Sequence, residues 1–233
     1  MPAVAPSLMI TEIFRSIQGE STRAGLECIF IRLMGCHLRC GYCDTEYAFH
    51  EGARRSLDDI LAEVRRFADD VPTLVEVTGG EPLLQPNVHP LMARLADAGH
   101  TVLLETSGAC DISPCDDRVI RIMDLKAPDS GESHRNHWPN IEHLAARDEV
   151  KLVLSSRRDY EWARDIIREH ALADRVAAVL VSGVHEMPAG RELPGTPGLP
   201  LHDLATWVIE DRLPVRVQTQ LHKLIWHPLA RGV

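Results

Sequence analysis

The chain has 233 residues, 45% of them hydrophobic and 25% charged, with a net charge of −9, which suits one α/β domain with a well-buried core. It has no apolar run of roughly 18 residues, which excludes a helix that spans a membrane, and the negative balance speaks against wholesale binding of a nucleic-acid backbone. Met1–Met9 lacks the basic and apolar regions of a signal peptide, so the expected compartment is the cytoplasm, where clustered thiols serve metals or catalysis rather than disulfides.

In chain order, apolar runs rich in Val, Ile and Leu predict strands at Cys28–Met34, Leu74–Thr78, Thr101–Thr106, Val119–Leu125, Val150–Leu154, Val176–Val181 and Val215–Val217. They lack clean alternation, as expected of strands covered on both faces. Amphipathic helices fall between them. The clearest is Leu57–Phe67, with Leu57, Ile60, Leu61, Val64 and Phe67 on one stripe, Ser56 as N-cap and Asp59 three residues later in a variant capping box. Others are expected at Val88–Ala98, Tyr160–Glu169 and His202–Asp211, and Met187–Pro200 reads as a Pro- and Gly-rich loop. Repeated βα units imply a parallel sheet with right-handed crossovers, either an open doubly wound sheet or a partial barrel. With no linker and no internal repeat, residues 1–233 form one expected domain.

The chemistry concentrates in "GCHLRCGYC", which sets Cys36, Cys40 and Cys43 in a C-x₃-C-x₂-C pattern with no fourth cysteine behind it. A structural zinc site takes four protein ligands, so zinc would have to recruit Cys28, Cys110, Cys115 or His37. Cys28 sits inside an apolar strand, where a lone thiol is an inert hydrophobe, and Cys110 and Cys115 are spaced more loosely than zinc pairs. A [4Fe–4S] cluster with one iron free of protein explains the missing ligand better, because catalysis needs an open coordination position.

The spacing, with Tyr42 just before the third cysteine, resembles the cluster motif of the radical S-adenosylmethionine enzymes. "TGGEP" (Thr78–Pro82) resembles that family's glycine-rich motif, and "LETSG" (Leu104–Gly108) its next strand-end motif. The resemblance implies an incomplete parallel βα barrel. It also implies that S-adenosylmethionine chelates the open iron and is split by one electron to a radical that abstracts hydrogen from the substrate. Cofactor contacts then fall to Tyr42, Gly80, Glu105, Ser107, Asp124, Lys126 and Ser182, the last three from "DLKAP" (124–128) and "VSGVHEMP" (181–188).

Within that superfamily, "IFRSIQGESTRAG" (13–25) followed by "FIRLMGC", and "VQTQLHKLIWHP" (217–228) near the C-terminus, resemble the 7-carboxy-7-deazaguanine synthases. Glycine usually follows Gln-Gly-Glu in that family, whereas Ser21 stands here. The resemblance implies ring contraction of 6-carboxy-5,6,7,8-tetrahydropterin with loss of ammonia. It places Ile17, Gln18, Gly19, Glu20, Arg32, Thr78, Gln220 and His222 against this small-molecule pterin, and Thr45 on Mg²⁺. An electron donor of flavodoxin or ferredoxin type and a homodimer are further expectations.

The residue types suit that substrate. An arginine fork pairs with a carboxylate or ring carbonyl, a carboxylate accepts two N–H bonds from an amidine edge, and Gln18 and Thr78 can accept or donate. Each also has a structural reading: Arg32 as a satisfied surface charge, Glu20 as a turn cap, His222 as a core histidine and Asp44 as a loop cap. Two other readings of the whole remain, a glycyl-radical activase with a protein partner and a zinc-stabilised binding module.

Overall fold

Strand order follows chain order across most of the sheet. The structure, a computed structural model, describes residues 5–186 and 198–233. Strands β1 (Ser7–Ile17) and β2 (Glu27–Leu33) form an antiparallel hairpin, and β3 (Ala53–Ser56) pairs antiparallel with the other edge of β1. From β2 onward all pairing is parallel, through β4 (Leu74–Gly79), β5 (Thr101–Thr106), β6 (Ile120–Asp124), β7 (Glu149–Leu154), β8 (Ala178–Gly183) and β9 (Arg216–Gln218). The resulting order, β3-β1-β2-β4-β5-β6-β7-β8-β9, leaves β3 and β9 as edges, so the barrel is incomplete.

The helices are α1 (Leu57–Phe67), α2 (Val88–Asp97), α3 (Arg157–Glu169), α4 (Leu172–Arg175), α5 (Leu201–Glu210) and α6 (Leu221–Ile225). Helix α1 begins as its sequence predicts: the Ser56 hydroxyl accepts from the Asp59 N–H at 3.1 Å and donates to the Asp59 carboxylate at 2.7 Å. Helix α3 starts a turn earlier than the apolar stripe suggested. Ser156 caps it by accepting from the Asp159 N–H, and the polar first turn Arg157–Asp159 carries no stripe. Strands β1 and β3 and the short helices α4 and α6 lie outside the sequence expectations. The loop expected at Met187–Pro200 lies, over 187–197, outside the described residues.

Successive parallel strands in chain order, joined by crossovers of one hand, put the helices on one face of the sheet. That outer face buries Ile29, Ile31, Val75, Val77, Val102, Leu104, Val150, Leu152, Val179 and Val181 against helix residues such as Ile60, Leu91, Leu95 and Ala163. The alternate residues point to the inner face. There a small apolar cluster of Cys28, Phe30, Leu74, Leu103, Ile120 and Ile122 fills the end where the strands begin. Further along, the inward positions become Arg32, Glu76, Thr78, Glu105, Asp124 and Lys151, and all of them line one cavity. Among the described residues no helix is long and apolar enough to cross a membrane.

Candidate active site

The cavity has a volume of about 490 Å³ and opens where the parallel strands end, the usual place for a site in such folds. Cys36, Cys40 and Cys43 line it together with Tyr42, from the loop that follows β2. Backbone bonds shape this loop: the Gly35 N–H donates to the Ala48 carbonyl at 2.8 Å, Gly41 to Ser130 at 3.0 Å and Cys43 to Cys40 at 3.1 Å. The Leu38 N–H points at the Cys36 sulfur at 3.4 Å, and the Arg39 guanidinium caps the carbonyls of Cys36 and Leu38 at 2.9 and 2.7 Å. Burial pushes all three thiols up, Cys43 to about 11, and the Lys126 ammonium pulls each of them back towards thiolate.

These residues fit an iron–sulfur cluster and its cofactor by their chemistry. Three soft donors line one cavity, none of Cys28, Cys110, Cys115 or His37 joins them there, and two nearby buried oxygens lack any partner among the described residues. Those oxygens are the Tyr42 hydroxyl and Asp124 Oδ1, both on the cavity wall, and buried polar atoms are ordinarily paired. The other Asp124 oxygen takes Lys126 Nζ at 2.7 Å. Among the described residues no three His, Cys, Asp or Glu side chains already form an ion-holding group, so the fit rests on donor type and placement.

The glycine-rich stretch has a structural explanation of its own. A Cβ on Gly79 would stand 2.2 Å from the Leu33 carbonyl oxygen, and one on Gly80 2.2 Å from that of Gly35. Close packing on the end of β2 therefore demands both glycines, whatever else Gly80 touches. Next to them Glu81 is fully buried, accepting from the Ser107 N–H at 2.8 Å and the Thr106 hydroxyl at 2.9 Å. Its carboxylate also takes the Ser107 hydroxyl, and so it locks the ends of β4 and β5 together.

The β1–β2 loop lines the same cavity. Gln18 is clamped at both ends of its amide, donating to Glu76 and accepting from the Glu20 N–H at 3.1 Å. A Cβ on Gly19 would lie 2.1 Å from His222 Nδ1, so any other residue would push the imidazole aside, and the Gly19 carbonyl accepts from the Leu221 N–H at 2.9 Å. Glu20 takes Lys151 Nζ and Gln220 Nε2, each at 3.0 Å. Lys151 also binds Glu105, which accepts from the Thr78 hydroxyl at 3.1 Å. Burial alone would raise the Glu105 carboxyl, but Lys151 outweighs it and holds the group at about 2. Glu76, buried and facing Glu105, is pushed well above the ordinary carboxylate range. Burial would lower the Lys151 ammonium, yet Glu105 and Glu20 keep it well above its usual value.

Arg32 also lines the cavity, but its Nε is paired with Glu12 Oε1 at 2.7 Å, and the same oxygen accepts from the Tyr47 hydroxyl at 2.8 Å. Thr45 donates to Asp44 Oδ1 at 2.9 Å. Burial would raise the Asp44 carboxyl, but Lys223 overrides that and holds it below the usual carboxylate range. Desolvation lowers the imidazolium of His222. Of the residues singled out from the sequence, all line the cavity except Ser182, which is buried on β8 in register with Val153 and Gln218. The sequence reading missed Glu12, Glu76, Glu81 and Lys151 and gave Lys223 no role. For Glu76 and Lys151 the signal was charge inside an apolar run, one charge in "LVEVTG" and two in "EVKLVL", while Glu81 lies in "TGGEP".

Comparison with known proteins agrees with this geometry. Residues 30–179 match the Radical SAM superfamily. A 7-carboxy-7-deazaguanine synthase of Koribacter versatilis is 45% identical over 97% of this chain and 100% of its own length. One of Chlorobaculum tepidum is 44% identical over 100% of both chains. The crystal structure of QueE from Escherichia coli superposes with a TM-score of 0.64 at 21% identity, covering 91% of this chain and 94% of that one, which speaks for the fold. The chain belongs to the 7-carboxy-7-deazaguanine synthase family of the Radical SAM superfamily.

Proposed function

We propose that the chain converts 6-carboxy-5,6,7,8-tetrahydropterin to 7-carboxy-7-deazaguanine with loss of ammonia. The observation that carries this reading is one cavity lined both by three thiols and by Gln18, Glu20, Thr78 and Gln220. Bound at Cys36, Cys40 and Cys43, the cluster with S-adenosylmethionine supplies one-electron cleavage of the sulfonium and hydrogen abstraction. The chain's own work is to bind, orient and keep water out. Tyr42, Gly80, Glu105, Ser107, Asp124 and Lys126 are assigned to the cofactor side, with the unpartnered Tyr42 and Asp124 oxygens as its polar contacts. Ser182, off the wall, is a support for Val153 in this scheme.

On the substrate side Glu20 offers acceptors to an amidine edge. Gln18 is held by Glu76 in one amide orientation, which presents a fixed donor and acceptor pattern. Arg32 offers its remaining N–H groups, with Ile17, Gly19, Thr78, Gln220 and His222 completing the wall. Thr45 and Asp44 stand at the thiol end, and there we place Mg²⁺, with the substrate carboxylate as a further oxygen ligand. The protein acts in the cytoplasm as a homodimer and receives electrons from a flavodoxin- or ferredoxin-type donor, again as part of the proposal.

Anaerobic reconstitution followed by incubation with the pterin, S-adenosylmethionine and dithionite, with and without Mg²⁺, tests the reading. Formation of the deazaguanine, increased by Mg²⁺, is expected. A cluster-loaded protein that cleaves S-adenosylmethionine yet leaves the pterin intact would falsify the substrate. Equal rates in both arms would remove Mg²⁺.

A further inference from the structure

The start of β7 carries a carboxylate where its neighbours are apolar. Glu149 faces inward in register between Ile122 of β6 and Ala178 of β8, and Ile122 belongs to the apolar cluster that fills this end of the barrel. The residue is fully buried, an expensive place for a charge unless it is paired and hydrogen-bonded. Among the described residues every side-chain partner it has comes from the β1–β2 loop: the Thr22 N–H at 3.0 Å, the Thr22 hydroxyl at 2.5 Å and Arg23 Nη1 at 3.1 Å.

We propose that Glu149 is a positioning residue for substrate recognition, strapping the β1–β2 loop to β7 so that Glu20 is held in place. The inference rests on the pterin reading of the cavity. Its geometry is a pair of rungs. Side chains on a strand return to the same face every second residue, and Glu149 meets Thr22 while Lys151, two residues on, meets Glu20 at 3.0 Å. Between the rungs Ser21 sits at φ 67°, the left-handed region that favours glycine, with its hydroxyl accepting from the Arg23 N–H at 3.1 Å. Such a backbone persists only where its surroundings over-determine it. Lys151 holds the loop before the strained residue and Glu149 holds it after. Glu149 does not line the cavity, so its influence reaches the substrate only through the loop.

The test uses the reconstituted holoenzyme. In Glu149→Ala the KM for the pterin should rise roughly tenfold or more, the size expected from losing a charge-assisted set of bonds. Visible cluster absorbance and pterin-independent cleavage of S-adenosylmethionine should stay at wild-type levels. Glu149→Gln keeps one acceptor for Thr22 and should recover part of the KM, and Thr22→Val, which loses only the hydroxyl, should show a smaller rise. Amide hydrogen exchange over residues 19–24 should quicken in Glu149→Ala. A wild-type KM with unchanged exchange overturns the proposal, as does a parallel loss of cluster and cofactor cleavage, which would mark Glu149 as merely structural. If Glu149→Ala does not fold, Glu149→Gln and Thr22→Val carry the same comparison. If the wild type itself leaves the pterin unchanged, the substrate reading fails, and the exchange measurement alone decides the strap.

Discussion

On β5, Leu104 and Glu105 are neighbours in sequence and opposites in duty. Leu104 faces the helices and is fully buried among aliphatic side chains; Glu105 faces the cavity, ion-paired to Lys151 and accepting from Thr78. The same division runs along β4, where Val75 and Val77 point outward and Glu76 and Thr78 inward. The outer face is held by packed apolar side chains and tolerates apolar residues of similar volume, whereas the cavity end of the inner face is a set of charges that satisfy one another. Stability and chemistry are thus separated by the pleat of one sheet, a single residue apart.

The thiol end of the inner face should give the largest effect. Cys36→Ala, Cys40→Ala or Cys43→Ala should abolish cluster assembly and S-adenosylmethionine cleavage, read by visible absorbance and by release of 5′-deoxyadenosine. Cys28→Ala, Cys110→Ala and Cys115→Ala should keep both, and dependence on Cys28 or Cys110 would break the open-site argument. Next comes the outer face. Leu104→Ala should cost about 2–5 kcal/mol in urea unfolding, the usual range for a large-to-small change in a packed core, with kcat of the folded enzyme unchanged. A fall in kcat would show that the two faces are coupled.

Glu20→Ala should weaken pterin binding by about 1–3 kcal/mol, the penalty for partners left unpaired, and leave the cluster absorbance unaltered. Loss of the cluster in that variant would mark Glu20 as a structural group. The smallest effect concerns pH. Glu105 titrates at about 2 in the folded chain against an ordinary 4.5. The unfolded chain therefore binds the proton more readily across that window, and the stability from this group falls as the pH drops from 4.5 towards 2. Urea unfolding of the apoprotein should show a flatter decline in Glu105→Gln than in wild type, and equal slopes would remove the Lys151 pair from the account.

How much of this was legible in the sequence follows from range. The cysteine loop is local, so three positions and their spacing announced it, and the parallel strands declared themselves by their Val, Ile and Leu. Strand β1 did not, because Thr11, Glu12, Arg15 and Ser16 break its apolar pattern on an outer, half-covered hairpin. Helix α6, at five residues, is too short to show a period. The polar inner face was hidden for another reason. Glu20 and Lys151 are 131 positions apart and Asp44 and Lys223 are 179 apart, so no spacing rule joins them. The run of inward charges was present as a two-residue alternation that the apolar partners masked. The paired glycines at 79 and 80 were legible as a motif, but their packing against Leu33 and Gly35 needed the fold.

The order of strands in the sheet also has a kinetic consequence. From β5 onward each parallel strand pairs with the strand synthesised just before it, so the sheet can grow by short closures, each with a modest entropy cost. The strap from Glu149 to Thr22 and the pair between Lys223 and Asp44 instead close loops of well over a hundred residues. Those closures become favourable only once β7 and α6 are in place. The expected order of folding is therefore scaffold first and recognition wall last, so the contacts that shape the cavity depend on a sheet that is already assembled.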